Sequence, residues 1–67
     1  MDMSNHARVA GYVILRDADR RRHAVRPDDV RGVSEYDQCG DECVVTIVGG
    51  QMMHVLRSLD DVLSSLA

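Results

Sequence analysis

The chain has 67 residues, 45% hydrophobic and 28% charged, with a net charge of −3 and a positive complement made up of arginine alone. That length holds one domain, which buries only about 60% of its unfolded surface, so a thin core is expected and self-association is a natural remedy. An acidic chain with two tyrosines and no Phe or Trp lacks the basic face and the stacking platforms of a general nucleic-acid binder.

No apolar run approaches the roughly 20 residues of a membrane span, and the start of the chain lacks the basic and then apolar segments of a signal peptide. A cytoplasmic location is therefore expected, with Cys39 and Cys43 kept as reduced thiols. The all-arginine usage is as readily a mark of GC-rich coding as of function.

Residues 1–8 read as a disordered N-terminal segment, polar or small and without periodicity, which leaves residues 9–67 as a single small β-rich domain. The run from Arg8 to Leu15, rich in β-branched and aromatic residues, predicts a first strand at about 11–16, and Asp17-Ala18-Asp19 predicts the turn after it. A second strand follows over Arg20–Arg26, with His23 and Val25 on one side. Pro27 cannot donate to a ladder, so Pro27-Asp28-Asp29 marks a turn or a single helical turn. Val30–Tyr36 predicts a third strand, with a bulge or close backbone approach at Gly32, and residues 37–42 read as an exposed loop.

The strongest local signal is Cys43–Val48, then Gly49-Gly50, then Gln51–Leu56. Two apolar runs separated by two glycines predict a hairpin with Gly49 and Gly50 as a two-residue turn. That register pairs Val44 with Val55 and Thr46 with Met53 on one face. Cys43 with Leu56, Val45 with His54 and Ile47 with Met52 then fall on the other. Both faces would be largely apolar, and one helix can cover only one of them. Val45, Met52, His54 and Leu56 are accordingly the expected interface residues.

A C-terminal helix is expected at about 58–66. Ser58 is its N-cap, Asp60 and Asp61 lie at the positive end of its dipole, and Leu59, Val62, Leu63 and Leu66 form its apolar stripe. The expected fold is thus α+β, a small antiparallel sheet of about five strands, curled toward a partial barrel, with one helix packed on it.

Few residues offer chemistry. Cys39, Cys43, His6, His23 and His54 include soft metal ligands, but their spacing does not match the paired C-x2-C or H-x3-H pattern of a structural zinc site, so no metal is expected. No cofactor is expected either. No nucleophile stands in a recognisable catalytic context, and the reading is of a protein that is not an enzyme. Asp17, Asp19, Asp28 and Asp29 are read as turn formers. Arg20, Arg21, Arg22 and Arg26, with Arg16 nearby, concentrate positive charge on one hairpin. Their forks suit a phosphate or an acidic partner, while a solvated turn balanced by Asp17 and Asp19 is the plainer reading.

Over residues 12–66 the order of strand, turn, His23-Ala24-Val25-Arg26-Pro27-Asp28-Asp29-Val30, strand, glycine hairpin and Arg57-Ser58-Leu59-Asp60-Asp61 resembles the small bacterial FlbD/SwrD family of flagellar and swarming-motility proteins. Uncharacterised phage or prophage proteins of the same length are similar. The parts that carry the likeness are Asp28 and Val30 after Pro27, the hairpin glycine, and Val55 followed by Ser58 and an acidic helix start. An extra N-terminal segment and the apolar Leu56 are where this chain differs. The resemblance implies an accessory, non-enzymatic role tied to flagellar motor output.

Two functions follow as expectations. One is an accessory domain that self-associates, a dimer being the first guess, or docks on a protein partner through the hairpin face. The other is a phage-type inhibitor or sponge that captures a nucleotide or acidic partner with its arginine-rich hairpin.

Overall fold

The computed structural model describes residues 8–67. The segment expected to be disordered thus lies outside the described residues, as does His6, except for Arg8, which opens the first strand.

The elements in chain order are β1 (Arg8–Val9), β2 (Tyr12–Arg16), β3 (Arg22–Val25), a 3-10 turn (Pro27–Asp29), β4 (Val30–Glu35), β5 (Cys43–Ile47), β6 (Met52–Val55) and α1 (Leu59–Leu66). They form two three-stranded antiparallel sheets, β1-β2-β3 and β4-β5-β6, with one C-terminal helix. The fold is α+β as expected, but the single sheet of about five strands is replaced by two sheets of three. The sheets join at one corner, where Asp17 bridges to Val55 and the Ala18 N–H donates to the His54 carbonyl at 2.8 Å.

Local chemistry accounts for most of this. Asp17 builds the β2–β3 turn: its carboxylate accepts from the backbone N–H groups of Asp19 at 2.8 Å and Arg21 at 2.9 Å, the Asx-type bonding that favours aspartate in turns. Arg20 takes a left-handed φ of 70°, so β3 begins at Arg22 and not at Arg20. The 3-10 turn after Pro27 and the register irregularity between Val30 and Gly32 follow the proline and glycine signals.

The β5–β6 hairpin differs from expectation by one residue. Cys43 pairs with Val55, Val44 with His54, Val45 with Met53 and Thr46 with Met52. The Gly50 N–H bonds the Ile47 carbonyl at 3.0 Å and the Ile47 N–H bonds the Gln51 carbonyl at 2.8 Å. The loop is therefore Val48-Gly49-Gly50, three residues long, with both glycines at positive φ. Because side chains alternate, a slip of one residue moves each strand's partners to the opposite face. Cys43, Val45, Met53 and Val55 then face inward together, while Val44, Thr46, Met52 and His54 face out.

The core lies between the sheets and the helix. It comprises Val13, Leu15 and Val25 from the first sheet, Cys43, Val45, Met53 and Val55 from the second, and Val62 of α1. The helix starts where the sequence places it: the Ser58 hydroxyl accepts from the Asp61 N–H at 3.1 Å. Its inward stripe differs in one position, because Leu63 is 47% exposed and Ser65 is buried instead. Arg57 explains the exchange, bonding the Asp61 carboxylate at 2.6 Å and the Ser65 hydroxyl at 2.6 Å and so giving a buried polar group its partner. Arg8 closes the other end of the helix by donating to the Ser65 and Ala67 carbonyls, where cationic groups interact favourably with the dipole.

Candidate functional site

Two surfaces bear on function, the outer faces of the two sheets. On the second sheet the expected interface set divides. Val45 is fully buried in the core and cannot be an interface residue, a correction that follows directly from the three-residue hairpin loop. Met52 is 74% exposed and Leu56 54% exposed, and His54 is half-buried.

His54 lies opposite Val44, not Val45. Its ring stacks on Tyr36 with centroids 4.0 Å apart, and its Nε2 lies 2.7 Å from Glu42 Oε1. Tyr36, His54 and Glu42 thus cover part of this face with polar-tipped groups. The face is less uniformly apolar than the two-glycine turn implies.

On the first sheet the register places Arg16 directly opposite Arg22 and Ile14 opposite Ala24, on the face away from Val13 and Leu15. Like charges opposed across an antiparallel pair are destabilising. No carboxylate pairs with either arginine among the described residues. Arg26 continues the row beyond β3 and lays its guanidinium over the Tyr12 ring, 5.0 Å from its centroid. The neighbouring Tyr12 hydroxyl, and after it Asp29 and Asp28, raise the affinity of Arg26 for its proton further above the ordinary arginine value.

Arg22 and Arg26, two of the four arginines singled out by sequence, line one open cleft of about 450 Å³ between β3 and the β5–β6 hairpin. Tyr12, Asp29 and Gln51 line it as well. The hairpin tip is fixed there because the Val48 N–H bonds the Asp29 carbonyl at 2.8 Å. Arg20 and Arg21 stay in the turn, outside that lining. Sequence reading missed Tyr12, Gln51 and the opposition of Arg16 to Arg22. The last could have been counted outward from the Asp17 turn, whereas Gln51 arrives only through tertiary packing.

A second open cleft, of about 620 Å³, adjoins the first and is lined by Asp17, Asp19, His23, Met52 and His54 among others. His23 Nε2 lies 2.7 Å from Asp17 Oδ2. That contact with His23, and then the Arg21 N–H, hold the Asp17 carboxyl below the usual carboxylate range. No Ser, Thr or Cys lines this cleft.

Among the described residues no three His, Cys, Asp or Glu side chains come together as a metal site. Cys39 is an exposed free thiol and Cys43 a buried one. Burial pushes the Cys43 thiol up, against a smaller opposing effect of Arg57. No helix among the described residues is long and apolar enough to cross a membrane. No protein-family model, curated protein or solved structure matches the chain.

Proposed function

We propose that this chain is a non-enzymatic accessory domain that pairs with a second copy of itself through the outer side of the β5–β6 hairpin. The observation that carries this reading is where the exposed apolar groups fall. Of the six large hydrophobic residues exposed among the described residues, Val48, Met52 and Leu56 belong to the hairpin or its end and Tyr36 leans on it. A domain of this size gains much from covering such a surface, and a two-fold pairing would apply the same patch from both copies.

The accessory character also accords with the likeness to the FlbD/SwrD proteins, and two free thiols suit a reducing, cytoplasmic setting. Sedimentation equilibrium is the test. The expected result is a dimer at tens of micromolar that becomes monomeric on combining Met52→Glu with Leu56→Glu, while the far-ultraviolet circular-dichroism spectrum stays that of the folded chain. A wild-type protein that remains monomeric at high micromolar concentration overturns the reading.

A further inference from the structure

We propose that the cleft between β3 and the β5–β6 hairpin binds a nucleoside phosphate, with Arg22 and Arg26 gripping the phosphate and the Tyr12–Arg26 stack presenting a flat surface to the base. This site lies between β3 and the inward side of the β5–β6 hairpin, and it does not rest on the pairing proposed for that hairpin's outer side.

Three observations carry it. The first is size: the cleft measures about 450 Å³, within the range of roughly 300–1,000 Å³ that small-molecule sites occupy. The second is charge. Arg22 and Arg26 enter the cleft together, and Arg16 stands directly opposite Arg22 with no carboxylate on either among the described residues. Guanidinium forks match phosphate geometry, and an anion seated beside this pair offsets a repulsion that the protein alone leaves uncompensated.

The third is the ring platform. The Arg26 guanidinium sits over the Tyr12 ring, 5.0 Å from its centroid, and bases stack on both tyrosine rings and guanidinium planes. Gln51 supplies an amide able to donate and accept at a base or sugar edge. Asp29, also in the lining, is placed to accept from a sugar hydroxyl. A phosphate-only ligand would leave the platform, the amide and the carboxylate without use.

Isothermal titration of the full chain with adenosine triphosphate tests the proposal, with adenosine and inorganic triphosphate as separate arms. One-to-one binding of the triphosphate is expected, at least tenfold tighter than either arm. Arg22→Ala with Arg26→Ala should weaken it tenfold or more, whereas Arg20→Ala with Arg21→Ala, which removes the same charge from the turn, should change it less than twofold. Tyr12→Leu should bring the affinity for adenosine triphosphate down to that for inorganic triphosphate.

Amide chemical-shift mapping on the wild-type chain gives an answer that needs no variant to fold. Shifts should cluster at Tyr12, Arg22, Arg26 and Gln51. Equal weakening by the two arginine pairs, shifts spread over all exposed arginines, or no binding of the triphosphate would each overturn the proposal.

Discussion

The β2–β3 and β5–β6 hairpins are built from similar lengths of chain, yet Asp17 marks the turn of the first in the sequence, with the start of β3 moved from Arg20 to Arg22, while the second is displaced by a residue in its register. In the first, the Asp17 side chain ties down the backbone of Asp19 and Arg21 and reaches His23. The turn chemistry is specified by a group with a fixed bonding range, so the register is fixed with it. In the second, Gly49 and Gly50 supply only conformational freedom. Two glycines accommodate a two-residue turn or the last positions of a three-residue loop equally well. What selects the longer loop is burial, because it alone puts Cys43, Val45, Met53 and Val55 on one inward face.

The sharpest way to break this comparison is a pair of adjacent truncations. Val45→Ala should destabilise the domain by about 2–3 kcal/mol, as a cavity in a core that cannot collapse, while Val44→Ala should cost about 0.5 kcal/mol. Urea unfolding monitored by circular dichroism measures both. If Val44 proves the costlier, the strands are in the two-residue register and the inward face has been misassigned.

Next in size is the side-chain tie of the first hairpin. Asp17→Ala removes an acceptor for two backbone N–H groups and for His23, and should lower the thermal midpoint by several degrees. The carboxyl of Asp17 is held below its ordinary range, so its contribution is present above the unfolded-state value of about 4 and is lost as pH falls through the lower folded value. Wild-type stability should therefore fall below about pH 4. The Asp17→Ala variant should lose less over the same interval in a pH series of thermal melts.

For the glycine loop, Gly50→Ala places a Cβ on a residue at φ 89° and should cost about 1–2 kcal/mol through backbone strain, although nothing lies within 4 Å of the added atom. A cost near zero would mean that the loop relaxes to a conformation without positive φ. The smallest expected effect is chemical. Iodoacetamide should label Cys39 and spare Cys43 in the folded chain, since the latter is fully buried and its thiol is held protonated. Rapid modification of both thiols would contradict the inward placement of β5.

The two outer faces differ in the same way as the turns. The arginines of the first hairpin stand close together in the chain, so Arg20, Arg21, Arg22 and Arg26 were legible as a charged cluster, whereas the cleft that separates Arg22 and Arg26 from the other two was not. Tyr36 and His54, 18 positions apart, meet only because β4 and β6 flank β5, and no periodicity announces it.

Sequence alone determined the class of the fold and the punctuation of the chain, because β2 to β6, the Asp17 turn, the Pro27 turn and the Ser58 cap each rest on bonds or steric limits within a few residues, whereas β1 was not legible. Tertiary structure decided how six strands divide into two sheets, which residues of the glycine hairpin face inward, and which side chains share a cleft. Those outcomes depend on apolar burial shared between segments far apart in the chain, and a local pattern carries no information about a partner it does not contain.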